Sequence, residues 1–65
     1  MINLNHRYEV GDNKYITPIS IIHESDSGFV VYNCYIERKS GVCNYISISN
    51  YHIIQLIKRY ENSKP

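Results

Sequence analysis

A nearly unbroken apolar and aromatic run covers residues 28–36, Gly28-Phe29-Val30-Val31-Tyr32-Asn33-Cys34-Tyr35-Ile36. β-branched and aromatic residues fill this stretch and turn-forming residues bound it, which predicts the central strand of a sheet. Its period of two places Val30, Tyr32, Cys34 and Ile36 on one face, the expected core face. Phe29, Val31, Asn33, Tyr35 and Glu37 fall on the other. The second set is too apolar and aromatic for a sheet face that meets only water, so something is expected to cover part of it.

The remaining elements come from the same reading. Ile2 and Leu4 alternate with Asn3, Asn5 and His6, which predicts a short edge strand over residues 1–7 that Tyr8-Glu9-Val10 continues. Gly11-Asp12-Asn13 then reverses the chain, since all three residues tolerate a left-handed backbone. Residues 15–24 read as the second strand, with Ile19, Ile21 and His23 on one face and Ser20, Ile22 and Glu24 on the other. Pro18 has no N–H to donate, which assigns it to a strand start, a bulge or an outer edge. Ser25-Asp26-Ser27-Gly28 is a hairpin connection that ends on a glycine able to take positive φ.

Loop length fixes the register of the next hairpin. A two-residue loop at Lys39-Ser40 sets Cys34 opposite Tyr45. A three-residue loop at Lys39-Ser40-Gly41 pairs Arg38 with Val42 and sets Cys34 against Ile46 and Tyr32 against Ile48. The second arrangement brings apolar residues together and puts a glycine at the position where its bulge requires one. It also sends Cys34 and Cys43 to opposite faces, so the two cannot bond within one chain.

Ser49 or Asn50 next offers a side-chain oxygen to the first turn of a helix. Ile53, Ile54, Ile57 and Tyr60 recur at helical spacing with Leu56 beside them, and Gln55, Lys58, Arg59 and Asn62 form the polar side. Lys58 and Arg59 lie where a helix dipole favours cations, and residues 62–65 are expected to fray. The predicted architecture is α+β: a small curled antiparallel meander of about four strands, SH3-like, followed by one C-terminal amphipathic helix, all in a single domain spanning residues 1–65.

Composition sharpens this picture at three points. A chain of 65 residues buries a modest fraction of its surface, so self-association is an expected source of stability, and its seven tyrosines supply rings suited to interfaces. Two cysteines are too few for a disulfide scaffold. With no secretory signal and no apolar run long enough to cross a bilayer, the chain is expected in the cytoplasm and away from membranes. The formal net charge of +1, with acids and bases interspersed, lacks the footprint of a general nucleic-acid binder.

Candidate chemistry is sparse. His6, His23, His52, Cys34 and Cys43 are the soft metal ligands, and none stands at the short spacing that clusters them, so neither metal nor cofactor is expected. Cys34 lies in an apolar strand where burial makes a thiol inert, and nothing in the spacing favours Cys43 with His52 as a nucleophile and base. Gly11 and Gly41 are isolated turn glycines rather than a phosphate-cradling loop. No acid, base and nucleophile can be assigned, and an enzyme is the last of the readings. What remains is Arg7, Lys14, Arg38-Lys39 and Lys58-Arg59, a solvated surface by default; the alternative is a basic patch for a phosphate or an acidic partner, which gains weight where Tyr8, Tyr15, Tyr35, Tyr45 or Tyr51 lines the same surface.

The run Gly11-Asp12-Asn13-Lys14-Tyr15-Ile16-Thr17-Pro18, the later Val30-Val31-Tyr32 and the closing Ser49-Asn50-Tyr51-His52-Ile53-Ile54 with Lys58-Arg59-Tyr60 resemble small phage and prophage proteins. Those proteins have a G-D-x-Y opening, a V-V-Y central strand and a terminal helix on an SH3-like sheet. The resemblance spans about residues 8–61 and implies no particular activity. It implies a mobile-element origin, and small phage proteins of this size act by binding, either blocking a host defence protein or sequestering a signalling nucleotide. The expectation is therefore a non-catalytic protein that self-associates through its aromatic sheet face and inhibits a host protein by occupying its surface. Tyr35, Tyr45 and Tyr51 are expected to make the contacts, with Arg38 and Lys39 as rim charges. The alternatives are an oligomeric nucleotide sponge with sites between subunits and a nucleic-acid module.

Overall fold

The computed structural model describes residues 2–64. Four strands and one helix succeed one another in chain order: β1 (Tyr8–Gly11), β2 (Lys14–Glu24), β3 (Val30–Arg38), β4 (Cys43–Ser49) and α1 (Asn50–Ser63). The strands form one open antiparallel meander in the order β1-β2-β3-β4. The expected α+β architecture, a small sheet closed on one side by a terminal helix, is what the chain adopts.

The β3–β4 register is the one that the three-residue loop demands. Cys34 faces Ile46 and Tyr32 faces Ile48. Gly41 has φ 85 and donates its N–H to the Arg38 carbonyl at 2.9 Å. The β2–β3 connection repeats the device: Gly28 has φ 88, its N–H reaches the Ser25 carbonyl at 3.2 Å, and the Ser25 N–H reaches Phe29 O at 2.9 Å. Both hairpins thus turn on a left-handed residue that glycine supplies without a Cβ clash. Gly28 and Phe29 belong to this connection, so the central strand begins at Val30 rather than at Gly28 and continues to Arg38.

The core lies between one sheet face and α1. Ile16, Tyr32, Cys34, Ile36, Ile48 and Ile53 are buried together, with Ile2, Val10, Val30, Leu56 and Ile57 packed around them. Burial in β3 alternates as its sequence does, and Tyr32, Cys34 and Ile36 all point at the helix. Ser49 caps α1 by accepting the His52 N–H at 3.2 Å. At the far end the Tyr60 hydroxyl donates to Asp12 Oδ1 at 3.0 Å, which fastens α1 to the β1–β2 turn.

Several elements differ from the pattern-based expectation. Residues 2–7 are not a strand, and Met1 lies outside the described residues. The chain turns at Leu4-Asn5, where Asn5 has φ 62 and donates its N–H to Pro18 O at 2.7 Å. In β2 the register shifts between Pro18 and Ser20 and again between Ile21 and His23. Each extra residue reverses the parity of the positions beyond it. Ser20 and His23 therefore share the face of Asn33 and Val31, while Ile21 and Glu24 share that of Tyr32 and Val30. Pro18 sits at the first shift, just beyond the last β1–β2 partner pair, Tyr8 and Ile16. The helix continues through Ser63 instead of fraying at Asn62, and Ser63 Oγ donates to Tyr60 O at 2.7 Å.

Candidate functional site

Because α1 packs on the Ile16–Ile36–Ile48 side, no helix among the described residues covers the sheet's other face. Its residues are set by the register: Tyr15 beside Glu37 and Glu37 beside Cys43, then Thr17 beside Tyr35 and Tyr35 beside Tyr45. The Tyr35 and Tyr45 rings lie 5.1 Å apart at 51°, the tilted geometry that ring quadrupoles favour. Tyr45 is 63% exposed on the edge strand, whereas Tyr35, one strand further in, is partly shielded by its neighbours. Hydrogen bonding with the Cys43 side chain, followed by the charge of the Cys43 thiolate, holds the Tyr35 phenol above its ordinary range.

Arg7 completes this face. Its guanidinium carbon sits 3.7 Å from the centre of the Tyr15 ring, and its Nε is 3.2 Å from Glu37 Oε1. A half-exposed pair of this kind adds little stability, on the order of 0–1 kcal/mol, but it helps keep the guanidinium over the ring. The face reads, from one end, as cation, ring, carboxylate, then two paired rings.

The other predicted contact residues are not part of that cluster. Tyr51, in the first turn of α1, belongs to a second aromatic row: its ring lies 6.2 Å from Phe29, which lies 6.3 Å from His23. Arg38 has the parity of Ile36 and so points to the helix side, directly opposite Lys14. The two cations border a groove of about 270 Å³ floored by Ile36, Ile46 and Leu56, with His52 also on its wall. Lys39 is exposed at the hairpin tip. Lys58 borders a separate groove with Tyr8 and Glu61. The basic residues are therefore dispersed over two faces rather than gathered in one patch.

The two cysteines occupy opposite environments. Cys34 is buried and desolvation pushes its thiol up to about 11, the reverse of what a nucleophile needs, while Cys43 is exposed. Among the described residues no three metal-ligating side chains come together, and no helix is long and apolar enough to cross a membrane.

Asn50 is the side chain whose role pattern reading missed. Ser49 takes the capping position, which frees Asn50 to reach the β2–β3 connection. Its Oδ1 accepts the Val30 N–H at 3.1 Å and its Nδ2 donates to Gly28 O at 2.9 Å. These two bonds fix the start of α1 against the start of β3, and with it the position of Tyr51 beside Phe29. No protein-family description, curated protein or solved structure matches this chain. Its site is accordingly defined by geometry: an uncovered sheet face carrying paired tyrosines and an arginine stacked on a third.

Proposed function

We propose that this chain is a non-catalytic binding protein of phage type that occupies the surface of a host protein through its open tyrosine face. The supporting observation is the Tyr35–Tyr45 pair, flanked by Tyr15 with Arg7 stacked on it, on a face that α1 leaves bare. Tyrosine and arginine dominate interface energetics because a large ring excludes water while its polar tip, or a flat guanidinium, keeps a hydrogen bond. Tyr51 and Lys39 are rim contributors in this reading, whereas Arg38 points to the helix side opposite Lys14 and drops out of the contact set. The sponge reading has weaker support. The groove that gathers Lys14, Arg38 and His52 has an aliphatic floor, and Tyr15, Tyr35 and Tyr45 lie on the opposite face, so stacking rings and phosphate-holding cations do not share that pocket.

The test is affinity capture from extract of the host cell with four baits: wild type, Tyr35→Ala, Tyr45→Ala and, on the exposed side of α1, Gln55→Ala. A host protein retained by wild type and Gln55→Ala, and depleted roughly tenfold or more by either tyrosine variant, supports docking through this face. Equal retention by all four folded baits defeats it.

A further inference from the structure

The two edges of the sheet are unlike. On one side, β1 is four residues long with an irregularity between Glu9 and Gly11, and β2 beyond it carries Pro18 and two register shifts. The Pro18 carbonyl on that side is already taken by Asn5. Short length, proline, bulges and capped carbonyls are the devices that stop an edge from pairing with another chain. β4, the opposite edge, has none of them. Cys43–Ser49 runs through seven consecutive partner pairs with β3 without a shift, and contains no proline and no charged residue. Cys43 to Ser47 are all exposed, and every second residue of such a strand turns its N–H and C=O away from its neighbour. Apolar surface borders these groups on both sides: Tyr45 on the open face, Val42 (54% exposed) and Ile46 (38%) along the edge.

We propose that β4 pairs antiparallel with β4 of a second copy about a two-fold axis at Tyr45, joining two four-stranded sheets into one of eight strands. The free backbone groups require an extended strand as occupant, and the side chains make this chain's own strand the fit. Facing residues must come from the same sheet face, which excludes one-residue slips. Centring on Tyr45 sets that ring against its copy, Cys43 against Ser47, Ile46 against Asn44 and the exposed Val42 against Ile48. Each Tyr35–Tyr45 pair then continues into a row of four rings, and no charge meets a like charge. Centring instead on Ile46 opposes Tyr45 to Ser47, and centring on Asn44 opposes it to Cys43; either breaks the row of rings. The pairing is independent of the host-docking reading, since it leaves the open face free and doubles its length.

Sedimentation equilibrium over a concentration series reads the result, with circular dichroism to verify folding of each variant. Wild type is expected to form a dimer. Cys43→Lys with Ser47→Lys opposes lysines at two places and is expected to weaken association roughly tenfold or more, while Cys43→Lys with Ser47→Glu restores it by opposing unlike charges, the lysine at position 43 also lying beside Glu37 of its own sheet. Ser47→Cys is expected to give a covalent dimer under mild oxidation, and adding Cys43→Ser abolishes it. A monomer at every concentration, a dimer indifferent to the paired lysines, or a cross-link that survives Cys43→Ser each overturns the proposal.

Discussion

Asn50→Ala is the substitution that most directly tests how helix and sheet are joined. Alanine is an excellent helix former, so the helix itself loses nothing. What is lost is the pair of bonds at 3.1 and 2.9 Å to Val30 N–H and Gly28 O. Two such bonds contribute about 1 kcal/mol each. The Val30 amide, partly buried, is left without a partner, which moves the expected cost to about 2–3 kcal/mol. A core this small supports roughly 3–5 kcal/mol in total, so the variant should lose about half of its stability or more. In a domain of this size each kcal/mol shifts the melting temperature by about 4–8 °C, which translates to a drop of roughly 10–20 °C. Asn50→Asp retains the acceptor for Val30 and gives up only the donor, so its melting temperature should fall between the two. Thermal unfolding followed by circular dichroism measures the drop, and amide hydrogen exchange at Val30 locates it. A melting temperature within about 2 °C of wild type, with Val30 still protected, would refute the assignment of Asn50 as the tie between α1 and β3.

Two further outcomes concern the titrating groups. Cys43 should react promptly with a thiol reagent at neutral pH while Cys34 reacts at the rate of unfolding, because one thiol is exposed and the other is buried with its pKa pushed up to about 11; two equally fast thiols would contradict the packing. Alkaline stability should decline in stages. Cys34 keeps its proton in the folded chain up to about 11 against an ordinary 9.0, so its contribution is complete below 9 and lost as pH rises to about 11. Tyr60, raised to about 12 first by its hydrogen bond to Asp12, acts in the same direction from its ordinary 10.0 upward. Tyr60→Phe should therefore melt lower at neutral pH yet show a shallower decline above pH 10; parallel melting curves across that range would remove Tyr60 from the account.

The β3–β4 hairpin was fully legible because three local rules agreed. Loop length, a glycine at the left-handed position and the matching of apolar partners all pointed to Cys34 opposite Ile46. The bulges of β2 were not legible. Pro18 announced an irregularity, but the second shift, between Ile21 and His23, lies in a run of apolar residues that reads equally well in either parity. Residues 2–7 failed for a related reason: their alternation suits a strand, yet Asn5 takes a left-handed turn and sends its N–H to Pro18. Ser49 and Asn50 were interchangeable as caps on sequence alone, and only the position of the β2–β3 connection divides their roles. The placement of Arg38 was within reach. The alternation that put Tyr35 on the open face puts Arg38 with Ile36, so grouping Arg38 with the tyrosines ignored the strand's own period.

The bare face follows from where α1 lies. A helix of 14 residues extends roughly 21 Å, and because Ser49 both ends β4 and caps α1, the helix turns back at once over the side that already carries Ile16, Ile36 and Ile48. The chain contains no second helix among its described elements to cover the reverse side. Side-chain chemistry is divided accordingly. Ile16, Ile36 and Ile48 fill the covered face with Tyr32 and Cys34, against Ile53 of α1, and Tyr15, Tyr35 and Tyr45 stand on the uncovered one. A phenol is the side chain that tolerates both states, since its ring buries well and its hydroxyl remains hydrated when nothing docks. Aliphatic residues at those three positions would commit the face to being covered, and small polar residues would remove any gain from covering it. Exposed tyrosine leaves a partner something to bury without requiring one, and that is the physical basis for the proposal that the open face is an interface.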